Sequence, residues 1–299
     1  MWVSIVAVVA ALLVVVYFAA SLNTGSPLAQ YVGKPVPPAV LSDLTGVSAS
    51  TLSAVGPGSG VNPPVSISGS PLTQGGKPEV LYIGAEYCPY CAVERWAMIV
   101  ALSHFGTFHG LELMLSGDFP ETNPDTPTFT FVNTTYVSNY ISFVPVEEYD
   151  RSAAHNPLQT PTSAESALFS QYDICESSSP PESGGIPFID IANQYAVNCG
   201  AQFFLSNVSG NPDPYIVGMN WTQIASQLND PGSPIAQRID GAANYLITAI
   251  CKATGGSPSA VCSQSYATQT LAYVPPPASN QSQALLAVPP QTKDQTWID

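Results

Sequence analysis

The longest apolar run opens the chain. From Met1 to Ala20 the only polar side chains are Ser4 and the Tyr17 hydroxyl, and no charged side chain occurs before Lys34. About 20 such residues match a hydrocarbon core about 30 Å thick, so residues 1–22 are expected to form a transmembrane anchor. A cleavable signal peptide needs a basic start and a shorter apolar run, and the chain offers neither. Residues 23–78 then lose periodicity and are dense in Pro, Gly and Ser, which predicts a spacer with at most a short strand or turn over Val40–Leu52. Glu79–Gly84 is an apolar run of strand formers stopped by glycine, a buried strand. In 88–105 the apolar residues Val93, Trp96, Ala97, Val100, Ala101 and Phe105 recur at helical spacing, with Pro89 suited to a first turn. Leu111–Ser116 reads as a second strand, making a βαβ unit with a parallel pair.

Beyond residue 117 the pattern is weaker. Thr128–Val132 and Tyr140–Val146 look extended, and Ala164–Tyr172 helical. Ile186–Ala192 is another apolar strand with Tyr195–Cys199 as its hairpin partner, and helices are expected over Trp221–Leu228 and Pro234–Lys252. Residues 273–299 form a Pro-rich tail. No fixed internal period is visible, which excludes a solenoid.

Composition narrows the function classes. Of 299 residues only 7 are Lys or Arg and 21 Asp or Glu, 9% charged with a net charge of −14, against about 25% charged in ordinary soluble proteins. Seven scattered bases cannot form the basic stripe of a nucleic-acid binder. A content of 45% hydrophobic and 10% aromatic residues opposes global disorder. Six cysteines follow an export-type leader, and N-x-S/T sequons occur at Asn133, Asn207, Asn220 and Asn280, candidates for glycosylation. These features place the body outside the cytoplasm of a single-pass membrane protein. Carboxylates are mostly neutral at about pH 2–3, so a surface built from uncharged polar groups points to an acid-living source.

The chemistry concentrates in Cys88-Pro-Tyr-Cys91. A zinc site needs a second Cys/His pair, and His104, His109, His155 and the other cysteines show no such spacing, so neither metal nor cofactor is expected. A C-x-x-C at the mouth of a helix directly after a buried strand has a redox reason instead. The helix N-terminus stabilises a thiolate at Cys88, and Cys91, one turn in, is placed to resolve a mixed disulfide.

Ala85-Glu-Tyr-Cys-Pro-Tyr-Cys91 resembles the active-site segment of the thioredoxin superfamily, and Pro-Tyr is the dipeptide typical of glutaredoxins. Gly184-Gly-Ile-Pro187 stands where that superfamily has a cis-proline before the strand facing the C-x-x-C. The resemblance implies an α/β thioredoxin-like three-layer fold, a central mixed sheet with helices on both faces, over residues 79–272. It implies an insertion, 117–183, between the βαβ and ββα halves, as in Dsb-type oxidoreductases. Cys88, Cys91 and Pro187 would be the catalytic residues. The layout also resembles membrane-anchored archaeal thioredoxin-like proteins of unknown function.

One departure concerns the proton. Thioredoxins carry a buried acid in the first strand, whereas Val80-Leu-Tyr-Ile83 holds none. Glu86 is expected as an exposed loop acid, and Glu94 with Arg95 as a solvated helix face or a buried ion pair; Trp96 is expected in the core. The remaining cysteines most economically form the structural disulfides Cys251–Cys262 and Cys175–Cys199, one of three connectivities open to four cysteines. Two functions are expected. One is a membrane-anchored thiol–disulfide oxidoreductase acting on protein thiols and disulfides. The other is a non-catalytic envelope or membrane-complex subunit with Cys88–Cys91 as a structural bridge. Exchange proceeds through a thiolate, which acid disfavours, so an acidic setting constrains the first.

Overall fold

A computed structural model of the protein describes residues 26–277 apart from 119–120, 122, 176–181, 199–215 and 217. Residues 1–22, Cys199, Asn207 and Asn280, with the expectations attached to them, lie outside the described residues, as does the side chain of Cys175. Among the described residues no helix is long and apolar enough to cross a membrane.

After a 3₁₀ turn at Ala29–Tyr31 come helices α1 (Pro38–Thr45) and α2 (Ala49–Val55), then strands β1 (Val65–Ser66), β2 (Thr73–Gln74) and β3 (Lys77–Gly84). Helix α3 (Pro89–Ser103) leads to β4 (Gly106–His109), β5 (Glu112–Leu115), β6 (Pro127–Thr130), β7 (Thr135–Ser138) and β8 (Ser142–Glu147). Next are α4 (Ser163–Tyr172), β9 (Ile174–Cys175), β10 (Glu182–Ser183), β11 (Phe188–Ile191) and β12 (Tyr195–Val197). Helices α5 (Trp221–Ala225), α6 (Pro234–Ala253), α7 (Ser259–Cys262) and α8 (Ser265–Gln269) follow.

The protein is a mixed α/β structure around a central mixed sheet. Along the sheet the order is β1-β12-β11-β3, with β8 parallel to β3 on its other side and β2 antiparallel to the start of β3. Strand β3 is buried on both faces, which is why it reads as a continuous apolar run rather than an alternation. Val80 and Tyr82 face the larger core with α3 and α6, while Leu81 and Ile83 face a smaller one closed by Leu168, Phe169 and Tyr172 of α4. Helix α3 is buried almost throughout, because α6 and the β5–β6 pair cover what the sheet leaves open. Trp96 is fully buried there, and its indole N–H donates to the Pro127 carbonyl at 2.9 Å.

Four expectations are corrected. The described part of 23–78 is not a spacer: Val36, Val40, Leu44, Val47 and Leu52 enter the main core, and Val55 is buried. Their Pro, Ser and Gly are helix punctuation, with Pro38 at the first turn of α1, Ser48 capping α2 and Gly56 ending it at φ 59°. The Val40–Leu52 stretch therefore lies in α1, in α2 and in the short link between them.

The second correction concerns pairing. The strand expected over Leu111–Ser116 exists as β5, but it pairs antiparallel with β6 outside the central sheet, and the parallel partner of β3 is β8. An apolar run reports burial, not the identity of its neighbour. Third, 117–183, expected as an insertion, is integral to the central sheet, since it supplies β8 to it and α4 to its second face. The expected 273–299 tail also begins inside the core: Val274 is buried and its carbonyl accepts from the Lys252 ammonium.

Cys251 and Cys262 are disulfide-bonded, tying the last turn of α6 to α7 across a separation of 11 residues. Closing so short a loop stabilises by about 3 kcal/mol on the chain-entropy account. Replacing both cysteines by serine is expected to lower the unfolding free energy by about that amount in urea melts; an unchanged midpoint would refute it.

Candidate functional site

The site is set by the junction of β3 and α3. Cys88 takes an extended backbone (φ −71°, ψ 118°) and caps α3, its sulfur accepting from the Cys91 N–H at 3.2 Å, while Pro89 occupies the first turn. Ile186, before the cis-peptide bond to Pro187, offers its carbonyl to the Cys88 thiol at 3.5 Å. The chain thus brings together the three residues the motif singled out, from positions almost a hundred residues apart. Both cysteines are free thiols; Cys88 is 4% exposed and Cys91 fully buried.

Burial pushes the Cys91 thiol well up, and the hydrogen bond and charge of Cys88 push it further. Arg95 and the Ala85 N–H, which bonds to the Cys91 sulfur, act in the opposite direction. Tyr87 stacks on His155 with ring centroids 3.8 Å apart, and burial with the adjacent cysteine charges lifts its phenol to about 12.

Behind Cys91 lies a polar cluster that motif reading missed. Arg95 is fully buried and paired with Glu147 in a bidentate bridge, Nε to Oε1 at 2.8 Å and Nη2 to Oε2 at 2.7 Å. Its Nη2 also donates to the Ala85 carbonyl at 2.7 Å, and the guanidinium lies 5.8 Å from the Tyr82 ring centroid. Burial opposes the Arg95 charge, but Glu147, Tyr82 and Cys91 together push its pKa upward, so the group stays cationic. Of the two alternatives for Glu94 and Arg95, the solvated face is excluded because both are buried, and the ion pair of Arg95 is made with Glu147.

Glu86 is likewise corrected from exposed to buried, at 6% exposure, with its Oε1 accepting from Thr130 Oγ1 at 2.6 Å. Desolvation raises its pKa against that hydrogen bond. One signal for this cluster was available in the sequence: charges at 94 and 95 inside an otherwise apolar helix require a buried partner.

Among the described residues no group of three or more His, Cys, Asp or Glu side chains is arranged to hold a metal ion. Of the sequons, Asn133 is exposed in the turn between β6 and β7, whereas Asn220 caps α5 by accepting from the Gln223 N–H. No curated protein and no solved structure matches the chain. A family model described as "Domain of unknown function (DUF929)" matches residues 63–252, from just before β1 into the last turn of α6, including Cys88, Cys91 and Pro187. With more than half of its length matched, the chain belongs to this DUF929 family.

Proposed function

We propose that the protein is a thioredoxin-like thiol–disulfide oxidoreductase acting on protein thiols through Cys88 and Cys91. The observation that carries this reading is the placement of the Cys88 sulfur. It sits at the mouth of α3, where it accepts from the Cys91 N–H, and opposite the Ile186 carbonyl next to Pro187. The order β8-β3-β11-β12 also supports a thioredoxin-like arrangement, with the C-x-x-C following β3 and Pro187 opening the antiparallel neighbour.

In the reaction a substrate thiolate attacks Cys88 of the Cys88–Cys91 disulfide and Cys91 leaves with the electron pair. The second substrate thiol then displaces Cys88. Two electrons and two protons pass from the substrate dithiol to the pair, which ends as free thiols; the reverse sequence reduces a substrate disulfide. Anchoring through residues 1–22 with the body outside the cytoplasm completes the proposal, supported by the apolar leader, the cysteine content and the exposed Asn133.

One observation favours the second reading, a non-catalytic envelope or membrane-complex subunit: Cys88 is only 4% exposed. Equilibration across glutathione potentials, followed by alkylation and mass spectrometry, separates the two. The oxidoreductase is expected to cycle Cys88 and Cys91 at a higher potential than Cys251–Cys262, and a Cys91→Ser variant to trap mixed disulfides. A pair as resistant to reduction as Cys251–Cys262 would favour the scaffold.

A further inference from the structure

Directly behind Cys91 the fold buries two hydrogen-bond donors that have no acceptor. The Tyr82 hydroxyl and Arg95 Nη1 are both fully buried and neither finds a partner among the described residues. Such orphans cost about 1–3 kcal/mol each, more for a charged group, so a fold that keeps two together needs a compensating role.

Their position supplies one. Cys91 and Arg95 are four residues apart on α3, hence neighbours on one helix face. A Cβ built on Gly84 would lie 2.1 Å from the Tyr82 oxygen and 3.1 Å from the Cys91 sulfur. The missing side chain at Gly84 is therefore what lets the hydroxyl approach that sulfur. From the third side the Ala85 N–H already donates to Cys91, while the Ala85 carbonyl accepts from Arg95. Glu147 fixes the guanidinium by two hydrogen bonds.

We propose that the Tyr82 hydroxyl, the Ala85 N–H and the Glu147-clamped Arg95 form a thiolate hole for Cys91, which is filled when Cys88 enters a mixed disulfide. The inference rests on the thiol-exchange reading of Cys88 and Cys91. In the reduced protein two influences that keep Cys91 protonated belong to Cys88, its hydrogen bond and its charge. Both end when Cys88 becomes covalently bound. Burial then opposes ionisation chiefly, against one cation and two N–H or O–H donors. Tyr82 is held well above its ordinary range, chiefly by burial, so it serves as a donor and not as a base. Glu86 interacts electrostatically with Glu147, Arg95 and Asp150, and burial shifts it toward its neutral form. The arrangement orders the two half-reactions: Cys91 is held as a thiol until Cys88 carries a substrate, then becomes the nucleophile.

An aromatic disulfide, 5,5′-dithiobis(2-nitrobenzoate), resolves the two steps on the reduced full chain. Cys88 first displaces one nitrothiobenzoate anion and becomes a mixed disulfide. Cys91 then attacks Cys88: the bond to the second nitrothiobenzoate breaks, the Cys88–Cys91 bond forms, the electron pair leaves with the second anion and the Cys91 proton passes to solvent. Release from a Cys88→Ser/Cys91→Ser double variant is subtracted to remove other thiols. Tyr82→Phe, which keeps the ring, is expected to lower the ratio of second-phase to first-phase rate about 10-fold or more, the scale of a hydrogen bond to a charged group. It is also expected to move the pH profile of the second phase to higher pH. Arg95→Met/Glu147→Met, which removes the pair without stranding a charge, is expected to do the same.

A first phase followed by an unaltered second phase and pH profile in both variants would overturn the thiolate hole alone. Absence of a first phase in the wild-type protein would overturn the oxidoreductase reading, and the hole with it.

Discussion

The fold is expected to be more stable at pH 3 than at pH 8, with Asp190 alone responsible for about 4 kcal/mol of the difference. Asp190 lies on β11 between Leu81 and Ala196, fully buried on the side of the sheet covered by α4. One oxygen accepts from the Asn193 N–H at 2.6 Å and the other has no partner among the described residues. Burial, with a smaller contribution from Glu79, lifts its pKa from 3.8 to about 7 against that hydrogen bond. Below pH about 4 both folded and unfolded states carry the proton and the stabilisation is complete. Between about 4 and 7 the unfolded chain releases it while the folded one keeps it, so stability falls by about 1.4 kcal/mol per pH unit. Above 7 the loss is complete.

Glu79, Glu86, Asp125, Glu148 and Asp240 shift in the same direction, each chiefly through burial, while Asp150 shifts the other way through hydrogen bonds from Ser152 and Asn156. Self-repulsion of a chain with net charge −14 adds to the loss at neutral pH. Urea titrations at pH 3, 5 and 8 measure the effect. Asp190→Asn keeps the acceptor for Asn193 without the titration, so it is expected to match the wild type at pH 3 and exceed it by about 4 kcal/mol at pH 8. A wild-type protein that gains stability from pH 3 to 8, or a variant with the same pH profile, would contradict the account. The result would also give the charge-poor surface an energetic counterpart in the core: both favour an acidic medium.

Glu147→Ala is the second large effect. It removes the carboxylate bonded to Arg95 and leaves a guanidinium with no exposed surface, held by the Ala85 carbonyl and the Tyr82 face. Stranding one member of a buried pair costs about 3–5 kcal/mol, whereas replacing both by apolar side chains of similar size is often neutral. Glu147→Ala is therefore expected to unfold at much lower urea, and Arg95→Met/Glu147→Met to recover most of the loss. Equal destabilisation by the single and double variants would show that the pair itself supplies net stability. Recovery would mean that the pair is dispensable to the fold, which agrees with a role for Arg95 behind Cys91.

Much of this molecule is legible one segment at a time. Helical spacing in 88–105, the apolar strands before Cys88 and after Pro187, and the cap at Cys88 depend on residues within a few positions of one another. Backbone geometry and burial impose the same periods on any chain, so these elements and the C-x-x-C between them could be read directly. The Pro-, Gly- and Ser-rich segment 23–78 misled because the same residue types end short helices and fill linkers; the apolar residues between them, Val40, Leu44 and Leu52, carried the distinguishing signal. Neutral-looking local chemistry misled again at Glu86, which is polar in sequence but enclosed by Thr130 and the β8 side of the site.

Local sequence sets the identity and form of the reactive segment: a strand, a thiol capping a helix, and a second thiol one turn in. The tertiary structure decided its surroundings. It selected β8 rather than β5 as the parallel neighbour of β3, and so carried Glu147 to Arg95 across 52 positions and left Tyr82 facing Cys91 over Gly84. Local pattern fixes only which side of an element is buried. Which charge meets which in the low-dielectric interior depends on strand pairing between distant segments, and that pairing decides the electrostatics of the thiols.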